Sequence, residues 1–173
     1  SLGAWVTYGL GSENRNMPGF VALRDGVSSA GPTMYRSGFL PSTYQATVVD
    51  TSKGTFQLDH LRRPSFVGSN QQRQQLELMA KLNDLHRKNR GSQGELDARI
   101  NSFETAFRMQ GVAPELFDLQ EESQSVRKLY GNSPFGRQCL LARRMVEKGV
   151  RFVEIFNGSR GRQWDAHGNR GGL

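Results

Sequence analysis

A chain of 173 residues, 36% hydrophobic and 23% charged with a mean hydropathy of −0.60, can bury one modest core, and it lacks both disordered composition and any run near the roughly 18 apolar residues of a membrane helix. Its one cysteine, Cys139, excludes an internal disulfide and any Cys-x-x-Cys zinc module, and no signal peptide is visible. A net charge of +7 and a pI near 10.1 point to anionic partners: nucleic acid, acidic lipid, or phosphate and sulfate esters.

The first stretch, SLGAWVTYGLGSENRNMPGFVAL, opens on a short apolar segment with Trp5, Val6, Tyr8 and Leu10, interrupted by Gly9 and Gly11. After Pro18, Phe20 to Leu23 reads as a strand, and because it is apolar on both faces it suits a buried parallel one. Residues 24–70 gather Pro32, Pro41 and Pro64 with five glycines, and read as a long irregular excursion of the kind that carries function. Residues 71–130 read as mainly helical. In QQRQQLELMAKLNDLHRK, Leu78, Met79, Leu82, Leu85 and His86 fall on one stripe, and in GELDARINSFETAFRMQG so do Leu96, Ile100, Phe103 and Phe107. The short link NRGSQG predicts that these two helices form an antiparallel hairpin inserted into the fold. A third helix is predicted in SPFGRQCLLARRMVEKG, with Phe135, Cys139, Ala142 and Val146 on its apolar face, Lys148 in its last turn and Gly149 closing it. VRFVEIF follows as a strand, so helix, glycine and strand make half of a βαβ unit and predict an α/β protein.

That step gives the end of the chain its interest. Ligands of open α/β sheets bind beyond the carboxyl ends of the strands, and NGSRGRQWDAHGNR is such a loop. If Trp164 to Gly168 is extended, Asp165 and His167 point to the same side, as a zinc, manganese or iron site or an acid/base pair needs. The bland reading stands beside it: a polar turn in which Asp165 caps a backbone amide and His167 is solvated.

Read in order, SLGAWVTYGLGSENRNMPGFVAL, SGFLPSTYQAT, ELDARINSFETAFRMQ, APELFDL, LYG, FGRQCLLARRMVEKGVRFVEIF and WDAHGN resemble the DUF1501 family of bacterial proteins over essentially the whole chain. The resemblance implies membership of the alkaline phosphatase and sulfatase superfamily, hence a doubly wound sheet and a metal-dependent hydrolase of phosphate or sulfate esters. It makes WDAHGN the matching metal motif, with Asp165 and His167 as ligands of a divalent cation (zinc, calcium, manganese or iron) and Asn169 supporting them. Arg160 and Arg162, and less directly Arg170, are close enough in sequence to bind the oxygens of an anionic small-molecule or polysaccharide ester.

The same resemblance implies that residues 1–173 are one incomplete domain. Family members carry a segment before Ser1, with the nucleophile, further ligands and often a twin-arginine signal that would export the parent to the periplasm or cell envelope. They also carry a segment after Leu173 that supplies further ligands. The isolated chain is therefore expected to be inactive, with missing parts of its own domain as partners and with both predicted strands exposing edges.

Other features carry less. His60 and His86 read as structural or surface histidines, Cys139 as a small core residue, and GLGSEN lacks the spacing of a nucleotide loop. The rival reading is a non-catalytic basic module or scaffold for anionic polymers, polysaccharide or nucleic acid, using Arg62, Arg63, Arg143, Arg144 and Arg151. No recognised nucleic-acid motif supports it, and no nucleic acid is expected as partner.

Overall fold

The computed structural model describes residues 1–12, 14–26, 31–54, 56–58, 61, 65–90 and 94–156. In chain order these form α1 (Leu2–Leu10), β1 (Phe20–Arg24), β2 (Thr47–Asp50), β3 (Gln57–Leu58), α2 (Ser69–Arg90), α3 (Gly94–Met109), α4 (Ala113–Phe117), α5 (Gln124–Tyr130), α6 (Pro134–Glu147) and β4 (Phe152–Phe156), with short 3-10 turns between. The strand order is β3-β2-β1-β4. β1 runs parallel to both β2 and β4, and β3 is antiparallel to β2. The protein is α/β, as expected.

Side chains alternate across a strand, so β1 feeds two cores. Val21 and Leu23 pack with Val49 of β2 against Met109, Leu116, Leu141 and Met145 from the helices on one face. Phe20 and Ala22 pack on the other with Ala46, Phe152 and Tyr35. Four consecutive buried residues are what a strand covered by helices on both faces requires, and each large side chain taken fully out of water contributes about 1.5–3 kcal/mol. Helix α1 closes the second face, and Gly3 permits its approach: a Cβ there would stand 2.7 Å from the Phe152 ring.

Several expectations need correction. β1 is not an edge strand, because β2 and β4 flank it. The excursion 24–70 contains β2 and β3, the former built on the β-branched Thr47, Val48 and Val49. On α6 the buried face is Gln138, Leu141 and Met145, whereas Phe135 and Val146 are exposed. On α2 the expected stripe Leu78, Leu82 and Leu85 is more than half exposed, and the more sheltered face runs through Gln72, Leu76, Ala80 and the buried Asn83. α3 behaves as expected where Ile100 is buried, and α2 packs on it.

The stretch LYGNSPFG shows how the sequence makes a corner. Gly131 takes φ 74° to end α5, Ser133 caps α6 by accepting the Gly136 N–H at 3.0 Å, and Pro134 occupies the first helical turn where its missing N–H costs nothing.

One carboxylate works against the fold. Glu154 lies beside Ala22 on the face of Phe152 and Phe156, and its Oε2 is buried without a hydrogen-bond partner among the described residues. Burial pushes its carboxyl above the usual range. A raised carboxylate pKa destabilises the fold above the folded value, and the penalty disappears once pH falls below the unfolded value. Glu154→Gln is therefore expected to raise Tm at about pH 7, with the gain vanishing below about pH 4, in paired thermal melts. Equal gains at both pH values would remove the charge explanation.

Candidate functional site

Because β1, β2 and β4 are parallel, their carboxyl ends share one edge of the sheet. Arg24 ends β1 opposite Asp50, the last residue of β2, and their side chains pair at 3.3 Å. The other Asp50 oxygen accepts the Ser52 hydroxyl at 2.6 Å and the Ser52 N–H at 2.9 Å. These two Ser52 bonds, aided by Arg24, hold the Asp50 carboxyl below its usual range, so it stays ionised.

Helix α6 supplies the next wall. The buried Gln138 donates from Nε2 to Thr51 Oγ1 at 2.7 Å, tying the helix to the end of β2. One residue earlier, the Arg137 guanidinium lies over the Gly54 turn. The amino-terminal half of α6 therefore faces the carboxyl edge, bringing a helix N-terminus and two arginines, Arg24 and Arg137, to it.

At the β1–β4 boundary, Phe156 is in register with Arg24, and the Asp25 N–H bonds the Phe156 carbonyl at 3.4 Å. Asp25 is partly exposed and forms no ion pair among the described residues. Strand order reverses here, since β2 lies on one side of β1 and β4 on the other, and a crevice at such a point is where open α/β sheets take ligands.

Arg160, Arg162, Asp165, His167 and Asn169 belong to residues 157–173, which follow β4 from this edge and lie outside the described residues, as do Arg170 and His60. Among the described residues no group of His, Cys, Asp or Glu side chains is gathered as a metal cluster. Cys139 is half-buried, and burial pushes its thiol up, consistent with a structural role. His86 is partly buried on α2. Of the basic residues in the rival reading, Arg62 and Arg63 are outside the described residues. Arg143 and Arg144 both pair with Glu122, and Arg151 donates to the Gly11 carbonyl, so these three are occupied within the fold.

Sequence reasoning missed Asp25, Asp50 and Ser52. The signal for the last two was present in VVDTS, a β-branched run followed by Asp-x-Ser, which is the signature of a side chain bonding its own backbone two residues on.

The fold and edge define an α/β protein with helices on both faces of a mostly parallel sheet and the polar side chains of Arg24, Asp25, Asp50 and Ser52 at the strand ends. The chain belongs to the family described as "Protein of unknown function (DUF1501)", which it matches over residues 1–172. No curated protein and no solved structure matches it.

Proposed function

We propose that the chain is part of a metal-dependent hydrolase of phosphate or sulfate esters with an alkaline-phosphatase-like fold, its centre at the carboxyl edge of the sheet. The observation that supports this most is connectivity. The segment carrying WDAHGN leaves β4 beside β1, where the strand order reverses.

The residue types suit a cation. Asp50 is a poor ligand, because Ser52 and Arg24 already occupy its two oxygens. Asp25 fits better, as a carboxylate at the end of β1 without an ion pair among the described residues, and it would join Asp165 and His167 as an O,O,N donor set for zinc, manganese or iron. A divalent cation bound there would stabilise charge developing on the transferring group. Arg160 and Arg162 would bind the ester oxygens, Asn169 would orient the ligands, and the amino-terminal end of α6 would favour an anion at this edge.

The test is metal content and turnover of phosphate and sulfate esters for the full-length parent protein and for its Asp165→Ala, His167→Ala and Asp25→Ala variants. Bound metal and turnover lost together in the first two variants is the expected result. A metal-free wild type whose properties none of the substitutions changes would overturn the reading.

A further inference from the structure

At the opposite, amino edge of the sheet lies a cavity of about 470 Å³, within the range of small-molecule sites. Its walls are the starts of β1 and β2, the 3-10 turn Ser42–Tyr44, one side of α3 and the Asn14–Arg15 loop. The lining has a definite chemistry. Ser42, Thr43, Ser102 and Thr105 bring hydroxyls, Gln45 and Asn101 bring amides, and Arg15 and Arg108 bring positive charge. Among the described residues no aspartate or glutamate lines it.

Arg108 is held in place from its own helix, by Glu104 at 3.6 Å and by the Thr105 hydroxyl at 3.4 Å. A guanidinium has five N–H donors, so these contacts fix its direction and leave donors for a ligand. Arg15 is exposed and makes no ion pair with a described residue.

The rim continues as a row of aromatic rings. Tyr44, which lines the cavity, meets Tyr8 edge to face at 5.3 Å. Tyr8 meets Trp5 at 5.9 Å, and Trp5 meets Phe39 at 5.3 Å. Trp5, Tyr8 and Phe39 are 47%, 52% and 85% exposed, so the row stands open to solvent beside the cavity.

Hydroxyl and amide groups recognise a polyol, paired arginines recognise an anionic substituent, and ring faces carry the C–H faces of pyranoses. We infer that this cleft binds an acidic saccharide, with one sugar bearing a sulfate or carboxylate in the cavity and the following sugars laid along Tyr44, Tyr8 and Trp5. The inference does not rest on the ester-hydrolase reading, because the two sites lie at opposite edges of the sheet.

The experiment is calorimetric titration of the protein with glucose 6-sulfate, glucuronate, glucose, inorganic sulfate and a sulfated tetrasaccharide, each variant first checked for an unchanged melt. Glucose 6-sulfate or glucuronate is expected to bind at least about tenfold more tightly than glucose or sulfate alone, and whichever binds better identifies the anionic group. Arg108→Ala and Arg15→Ala should each weaken that binding about tenfold. Trp5→Ala should leave the monosaccharide unaffected while weakening the tetrasaccharide. Arginine variants that bind like the wild type, inorganic sulfate that binds as well as the sugar sulfate, or no binding by any probe would each overturn the assignment.

Discussion

Gly136→Ala is expected to destabilise the protein by about 2–3 kcal/mol, or roughly 5–10 °C in Tm for a chain of this size. Two effects oppose each other. Alanine is the better helix former and on its own would stabilise α6 by about 1 kcal/mol. Against this, Gly136 is buried in the corner where α5 turns into α6, and an added Cβ would overlap the Tyr130 carbonyl oxygen. That neighbour is backbone, fixed by the end of α5 and by Gly131 at φ 74°, so no rotamer change relieves the contact. The overlap therefore wins, and the helices must separate. Urea or thermal unfolding decides it, with Gly9→Ala as control, since a Cβ there meets nothing within 4 Å. A Gly136→Ala melt equal to or above wild type would mean that α5 and α6 are not packed as described.

The fold was legible where a segment's own chemistry decides its state. Phe20 to Leu23 is apolar on every residue, which only a strand covered on both faces tolerates, and it became β1. Gly149, with φ 90°, ended α6 as its position suggested. β2 escaped because four residues among prolines and glycines offer too little periodicity, and its parallel partner lies more than twenty residues earlier. The α6 face escaped for another reason. A hydrophobic stripe assigns Gln138 and Arg144 to water, yet both are buried because Thr51, Leu116, Glu115 and Glu122 supply partners that only the folded chain brings near.

The candidate site divides the same way. Asp165 and His167 are visible in WDAHGN as a carboxylate and an imidazole two residues apart, a spacing that leaves a polar turn equally open, and it is the family resemblance that implies a ligand role for them. Asp25 could not be picked out this way, because its relevance comes from the β1–β4 register, which sets Arg24 against Phe156. Likewise the amino-edge cavity joins Arg15 to Arg108 across more than ninety residues of sequence. Local patterns reveal chemistry carried on one segment, and only topology reveals chemistry shared between segments.

Arg144→Ala is expected to cost about 3 kcal/mol, whereas Arg143→Ala should cost clearly less, although the two are neighbours with the same partner. Both pair with Glu122 Oε1, at 2.8 and 2.7 Å. The difference lies in what else each one holds. Arg144 is buried and donates from Nε to the Leu116 carbonyl at 3.1 Å and from Nη2 to the Glu115 carbonyl at 2.7 Å, closing the end of α4. Its removal leaves the Leu116 carbonyl without a donor among the described residues, while the Glu115 carbonyl keeps only the Asp118 N–H at 3.2 Å, and an unsatisfied buried acceptor costs about 1–3 kcal/mol. Arg143 is 31% exposed, and water can replace it. Arg144→Lys should recover only part of the loss, since one ammonium cannot reproduce a planar fork reaching three acceptors. Glu122 adds a pH signature. Its carboxyl is held below the usual range, first by the Arg143 hydrogen bond and then by Arg144. Its contribution is thus present above the unfolded carboxylate pKa and lost as pH falls through the folded one. Chemical unfolding of the two alanine variants near neutral pH is the direct comparison, and equal losses would show that the α4 carbonyls do not depend on Arg144.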